Sequence, residues 1–301
     1  MYVDWEYYKI FYFVAKYRNF TKAARVLGSN QPNITHTMNK LEDQLHCVLF
    51  IRSNRGVTLT PEGENLYARI SSAAVQIQDA EEELSASASL SHGAISISAT
   101  ETALNIYLSE QLRGFHAQYP GIRLRITNHS TLQAVQAVKN GEVDFAVVTT
   151  PAETGSDLKR VALMPFNEIL VGGPSFAELA GRTLALQELI AYPLIMLENG
   201  SMSRIFYRQL FLEHNAELKP DIEAGTTDQM LTLVRSDLGL AFVPEPMARG
   251  NLHRKRILQM NLQEAIPSRS VCLVYDPRRP LNTAAREFRH QLLESAKNKQ
   301  K

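Results

Sequence analysis

Residues 19–45 read NFTKAARVLGSNQPNITHTMNKLEDQL, and that stretch leaves few folds open. A short run from Thr21 to Leu27 carries Ala23 and Ala24 side by side and stops at Gly28, which can take the left-handed conformation that closes a helix. Asn19 and Thr21 flank Phe20 and offer two capping side chains. Soon after Gly28, Pro32 falls in the first turn of a second helix, where no backbone N–H is needed. In that second helix Ile34, Met38, Leu41 and Leu45 recur at helical spacing. Two short helices joined by a tight glycine turn form a helix-turn-helix, and the paired alanines let them approach closely. Upstream, Ile10, Phe11, Val14 and Tyr17 predict a further helix. Downstream, VLFIRSNRGVTLT places two β-prone stretches around Ser53-Asn54-Arg55-Gly56, a hairpin with arginines at its base and tip, in effect a wing.

The second helix turns an unusual face outward. Pro32, His36, Asn39 and Lys40 lie opposite the apolar positions, with Thr35 on the flank. Amides and hydroxyls both donate and accept, as a reader of base edges in a DNA groove requires, whereas Glu would repel phosphates. A merely solvated three-helix domain is the competing reading. The wing, the capping and the spacing together favour the first, and the charge pattern accompanies them. Residues 1–60 hold eight Lys/Arg against four Asp/Glu, residues 61–92 one against six, and residues 93–301 twenty-three against twenty-one. A basic head, an acidic middle and a near-neutral body indicate three units, although the net charge is only +1.

The middle unit starts at Thr60-Pro61. Leu66, Ile70, Ala73, Ile77, Ala80 and Leu84 follow at alternating spacings of four and three, the seam of a coiled coil. At about 1.5 Å per residue this helix is a rod of roughly 40 Å. Its single apolar stripe calls for a partner, a second copy or its own chain. SASASLSH, residues 85–92, reads as a flexible hinge.

From Gly93 strand and helix patterns alternate: AISIS, a helix over 102–119, IRLRIT, a helix over 131–140, then VDFAVV. This order predicts a mostly parallel sheet. TLQAVQAVKNGEVDFAVVTTP (131–151) and TDQMLTLVRSDLGLAFVPEP (227–246) share a helix–turn–strand pattern, so the segment reads as two similar α/β lobes facing across a cleft. Hydroxyl residues recur where strands hand over to helices: Thr100, Thr102, Ser130, Thr131, Thr149 and Thr150 in one half, Ser201, Ser203, Thr226 and Thr227 in the other. Each can cap its own helix. Clustered at one edge of two facing lobes, they suit a small anion, since helix starts present free N–H groups. A small carboxylate or similar metabolite is therefore the expected ligand.

Several functions are disfavoured. Only two cysteines are present, Cys47 and Cys272, with no CxxC, so neither a disulfide framework nor a zinc site is expected. No GxGxxG, P-loop, nucleophile elbow or metal-spaced histidine pair occurs, so no catalytic residue, metal or cofactor is expected and an enzyme is not. HRKRI (253–257) reads as a solvated loop rather than a second nucleic-acid patch. Asp4 and Glu6 stand where a secretory signal would be basic, and no apolar run approaches the roughly 20 residues that span a bilayer, so a cytoplasmic chain without a membrane partner is expected. That also argues against a secreted solute-binding protein. An architectural DNA-binding protein without effector response remains the alternative.

Residues 19–67 closely resemble the winged helix-turn-helix of the LysR-type transcriptional regulators. The FTKAA core, the QP start of the second helix, the KLE near its end, the LF-x-R approach to the hairpin and the LTPEG exit are all present. The rest of the chain resembles that family in order and length rather than in motif. The resemblance implies a sequence-specific regulator controlled by a small-molecule effector. Its domains would be a winged helix-turn-helix over 1–60, a dimerising linker helix and hinge over 61–92, and a periplasmic-binding-protein-like effector domain over 93–301. That last domain would have two Rossmann-like lobes, about 93–162 with 268–301, and 163–267. Also implied are a homodimer through Leu66, Ile70, Ile77 and Leu84, a homotetramer, double-stranded DNA with an interrupted palindromic operator, and RNA polymerase as partner of an activator. Carried over by position, Thr21, Gln31, Pro32, Asn33, Thr35, His36 and Asn39 face the DNA, Arg52 supports a backbone contact and Arg55 enters the minor groove. Thr100, Thr131 and Ser201 are the effector positions the resemblance marks most directly. Two departures stand out: His36 where the family commonly has Arg, and His46 where it commonly has Gly.

Overall fold

A computed structural model describes residues 3–53, 56–85 and 92–299. The chain divides into two compact units, 1–87 with 140–142, and 88–139 with 143–301.

In the first unit, α1 (Trp5–Tyr17), α2 (Phe20–Val26) and α3 (Gln31–Leu45) precede a hairpin of β1 (Phe50–Ser53) and β2 (Gly56–Leu59), and α4 (Pro61–Ser85) follows. Short polar side chains start each of the first three helices. Asp4 accepts from Glu6 N, Asn19 from Lys22 N and Asn30 from Asn33 N. Gly28, at φ +62, ends α2 and frees the chain to turn into α3. Phe11, Ala23, Ala24, Ile34, Met38 and Leu41 are at most 3% exposed, so the adjacent alanines lie where the three helices meet. The hairpin is antiparallel, with Phe50 opposite Leu59. Thr60 links it to α4: its hydroxyl donates to Val48 O and accepts from Gly63 N. Gly63 cannot be replaced cheaply, because a Cβ there would lie 2.2 Å from Leu49 O.

The second unit runs β3 (Gly93–Ala99), α5 (Glu101–Ala103), α6 (Ser109–Gln118), β4 (Ile122–Asn128), α7 (Thr131–Lys139), β5 (Phe145–Thr149) and β6 (Lys159–Phe166). It continues with β7 (Glu168–Gly172), α8 (Ala177–Ala180), β8 (Thr183–Leu184), β9 (Leu194–Leu197), α9 (Met202–Glu213), β10 (Ile222–Ala224), α10 (Thr227–Arg235), β11 (Leu240–Pro244), α11 (Glu245–His253) and β12 (Leu258–Leu262). β13 (Arg269–Tyr275) and α12 (Thr283–Lys299) complete it. A π turn, Leu104–Leu108, joins α5 to α6, so the helix expected over 102–119 is one rod with a wider turn near its start.

Two mixed sheets result, one per lobe. The first has the order β4-β3-β5-β13-β6, the second β10-β9-β11-β7-β12-β8. The expectation of a mostly parallel sheet needs correction. β3 is parallel to β4 and β5, but β13 is antiparallel to β5 and β6, and β7 is antiparallel to β11 and β12. The cause is the double passage of the chain between lobes, at Asn167 and again over 263–268. Each strand at a passage, β7 and β13, is laid into its sheet against the grain of the strand–helix–strand repeats.

Each lobe buries its own core. Ile95, Ile97, Phe145, Val147 and Phe288 anchor the first, beneath α12. Tyr207, Leu210, Phe211 and Phe242 form one face of the second, and Ile195, Val234 and Val243 the other.

Candidate DNA-reading face and effector cavity

α3 buries Ile34, Met38 and Leu41 and leaves Gln31, Pro32, Asn33, His36 and Asn39 exposed, with Thr35 half-buried at the edge. Thr21 on α2 joins this surface, its hydroxyl 3.1 Å from Gln31 Oε1. Arg52 on β1 reaches back to α3. Its Nη2 donates to Asn39 Oδ1 at 2.6 Å, and its guanidinium lies 4.9 Å from the Phe20 ring centroid. Arg52 is thus held on the helix it flanks. Arg55 lies outside the described residues.

Glu42, one turn beyond Asn39 on α3, was not singled out from sequence. Its Oε1 accepts from Leu49 N at 2.7 Å and Phe50 N at 3.0 Å, and its Oε2 pairs with Arg52 at 3.4 Å. One carboxylate therefore fixes where β1 starts relative to α3. The only sequence signal was its place in the KLE triplet.

Leu66 and Ile70 on α4 pack against the core of their own unit, while Ile77 is 43% exposed. The Leu84 side chain and the segment 86–91 lie outside the described residues.

In the second unit, Thr100, Thr102, Ser130, Thr131, Thr149, Ser201, Ser203 and Thr226 all line one cavity of about 280 Å³ between the lobes. Thr150 lies beside it, its hydroxyl accepting from Ser270 N. The cavity is walled by the starts of four helices: the α5–α6 rod, α7, α9 and α10. Thr100 accepts from Ala103 N, Ser130 from Gln133 N, Ser201 from Arg204 N and Thr226 from Gln229 N. Those hydroxyls are helix caps first. Thr131 differs: it is 6% exposed, lines the cavity, and its hydroxyl has no hydrogen-bond partner among the described residues.

Eight further lining residues, none of them a hydroxyl residue, were not expected from sequence, among them Glu101, His129 and Glu198. Glu101 spans the cleft, its Oε2 accepting from Thr227 N at 2.8 Å. Thr102 and Thr227 hydroxyls meet beside it at 3.3 Å. Burial and, behind it, the Asp228 carboxylate push the Glu101 carboxyl up from its ordinary value, against the α10 donors that hold it ionised.

Beneath the cavity floor sits Arg269, the first residue of β13, 4% exposed. Its guanidinium pairs with buried Glu168 at the start of β7, donates to Thr150 O at 2.6 Å, and reaches the hydroxyls of Thr149 at 3.2 Å and Ser203 at 2.9 Å. Arg269 therefore ties both lobes together where the chain passes between them. Burial, followed by the Glu168 charge, raises the neighbouring Tyr207 phenol well above its ordinary value.

Among the described residues no group of acidic, histidine or cysteine side chains is placed to hold a metal ion, and no helix is long and apolar enough to cross a membrane. A winged helix-turn-helix joined to a two-lobed unit with a cavity between its lobes defines a ligand-responsive DNA-binding regulator. Comparison with known proteins gives the same class. Residues 5–64 match the profile described as "Bacterial regulatory helix-turn-helix protein, lysR family", and residues 88–297 the "LysR substrate binding domain". The regulator YofA of Bacillus velezensis is 29% identical over 280 residues, 93% of this chain and 94% of that protein. BbuR of Bordetella bronchiseptica is 30% identical over 83% of this chain and 78% of its own. Among solved structures, the LysR family regulator CbnR superposes with a TM-score of 0.74 at 19% identity, covering 98% and 99% of the two chains. The effector binding domain of QuiR, in complex with shikimate, gives 0.61 at 21% identity over 69% of this chain and 99% of that one. The chain belongs to the LysR family of bacterial transcriptional regulators.

Proposed function

We propose that this regulator senses a small carboxylate or similar anionic metabolite in the cavity between its lobes. The supporting observation is the meeting of four helix starts around one cavity, with the hydroxyl of the largely buried Thr131 unpaired among the described residues on its wall. Helix starts supply N–H donors and a partial positive charge without a Lys or Arg side chain. In this reading the ligand adds contacts to both lobes. It thereby biases how they close over Arg269 and the Glu101–Thr227 bond, which couples the cavity to the DNA-binding unit.

The same reading assigns α3 to the major groove and the hairpin to the backbone beside it, with no enzymatic activity. A dimer through the exposed Ile77 side of α4 would carry two reading heads. Its operator is then an interrupted palindrome with half-sites about one helical turn or more apart. Pairing of dimers into a tetramer, residence in the cytoplasm and, for an activator, contact with RNA polymerase complete the proposal.

The test is a thermal-shift screen of metabolite carboxylates on the full chain, followed by calorimetry on Thr131→Val. That substitution is cleaner than Thr100→Val, because the Thr100 hydroxyl also caps its helix. A hit should lose about 0.5–1.5 kcal/mol of affinity in Thr131→Val, with DNA binding intact. Unchanged affinity in Thr131→Val and Ser203→Ala together would remove the site from the cleft.

A further inference from the structure

The proposed anion site has a feature that a simple anion does not explain. Among the residues that line the cavity there is neither Lys nor Arg, and its carboxylates are those of Glu101 and Glu198. These two carboxylates are in different situations. Glu101 is committed, since its Oε2 accepts from Thr227 N at the start of α10. That bond fills the donor site of one helix from within the protein.

Glu198 is uncommitted. It follows β9, and its carboxylate makes no hydrogen bond or ion pair among the described residues. A Cβ built on Gly225 would lie 3.4 Å from Glu198 Oε1 and 3.5 Å from Gln229 Oε1. Two acceptor oxygens, one of them anionic, therefore flank the Gly225 wall, where the absence of a side chain keeps the approach open. Gln229 Oε1 already accepts from Gly225 N, which fixes its amide with the oxygen on this side. A carboxylate or phosphate placed there would meet negative charge and lone pairs.

The donors are elsewhere in the same cavity. The first N–H groups of α7 and α9, at Thr131 and Met202, have no partner within their own helices. The hydroxyl of the largely buried Thr131 stands with them, without a partner among the described residues. Glu198 stands close before Met202 in the chain, so the anionic acceptor and one set of donors belong to neighbouring turns. A ligand that satisfies both sets carries an anionic and a cationic group. The cavity, about 280 Å³, is small for a drug-sized molecule.

Resting on the cleft reading above, we infer that the effector is an α-amino acid: its carboxylate is held at the starts of α7 and α9, and its ammonium is received by Glu198 and Gln229 at the Gly225 wall. A dicarboxylate of the same size leaves Glu198 facing like charge, and an amine without a carboxylate leaves the helix starts and Thr131 unmet.

The experiment uses the full-length protein and three sets of probes at millimolar concentration: the common α-amino acids, the same molecules lacking the amine, and the same molecules lacking the carboxylate. Thermal shift identifies binders and calorimetry ranks them. The expected result is stabilisation by one or a few amino acids, with each one-charge analogue weaker by about tenfold or more. Glu198→Gln should weaken the amino acid by about tenfold while leaving the unliganded melting temperature unchanged, because the exposed carboxylate supports nothing else. Stabilisation by no amino acid, equal binding of the deaminated analogue, or unchanged affinity in Glu198→Gln each overturns the proposal. Carboxylates that bind regardless of the amine yet weaken in Thr131→Val overturn it while sparing the cleft reading. An amino acid that binds equally well in Thr131→Val and Ser203→Ala sinks both.

Discussion

Replacing Arg269 by Met should unfasten the second unit more than any other single substitution near the cavity. The guanidinium is 4% exposed and its partner Glu168 is 2% exposed, so the Met variant leaves a carboxylate buried without a counter-ion. Removing one member of such a pair costs about 3–5 kcal/mol. The lost bonds to Thr150 O, Thr149 Oγ1 and Ser203 Oγ belong to the same network and fall within that figure rather than adding to it. For a unit of this size a kcal/mol corresponds to roughly 2–4 °C, so the transition of the second unit should fall by about 6–20 °C. Glu168→Met combined with Arg269→Met removes the orphaned charge as well, and should recover to within about 1–2 kcal/mol of the parent. Scanning calorimetry of the full chain separates the two units' transitions. A single variant within about 3 °C of the parent would refute the reasoning. So would a double variant whose loss is the sum of the two singles.

Three further outcomes can be checked on the same protein. His46 takes a left-handed conformation, φ +52, at the end of α3 with its side chain exposed, so His46→Gly should stabilise the first unit by about 0.5–1 kcal/mol; Trp5, the only tryptophan, reports that unit's urea unfolding, and a destabilised variant contradicts the strain argument. Glu42→Ala strips the acceptor from Leu49 N and Phe50 N and should cost about 1.5–3 kcal/mol by the same fluorescence, together with loss of operator binding; an unchanged midpoint would show that the strand start is fixed otherwise. Burial raises the Asp144 carboxyl above its ordinary value against the bonds from Ser96, so its ionisation opposes folding: its contribution is present below the unfolded pKa and is lost as pH rises through the folded one. Relative to Asp144→Asn, the parent's second unit should therefore lose stability as pH rises from about 4 through that raised value, and a gain with rising pH would reverse the assignment.

The parts that were legible in the sequence are those fixed by neighbours in the chain. Asn19, Gly28, Asn30 and Pro32 act within a turn or two of themselves, so the helix-turn-helix could be read locally. The hydroxyls at strand–helix junctions were legible for the same reason, since a junction is a local event repeated along the chain. What escaped depends on distant pairing. Arg269 meets Thr149 and Glu168 across about a hundred residues, and nothing near ProSer-Arg-Ser in the sequence marks it as a tie between lobes. Glu101 was overlooked because its role is to reach the other lobe's helix. The strand directions failed similarly: strand–helix alternation implies parallel neighbours, but β7 and β13 follow the passages between lobes. On α4, a regular apolar stripe could not disclose that Leu66 and Ile70 face their own unit while Ile77 does not.

The position of β13 has a consequence for biosynthesis. It is the last strand of the chain, yet it lies between β5 and β6 in the first lobe's sheet and pairs with both. Until residues 269–275 have left the ribosome, β5 and β6 have no common neighbour and Phe145 lacks Phe288 on α12. The second sheet, drawn wholly from residues 168–262, suffers no such delay and can close first. Synthesis proceeds from the N-terminus, but the first lobe to begin is the last to finish. A nascent chain arrested just after β12 should carry a protease-resistant second lobe behind an open, digestible first one.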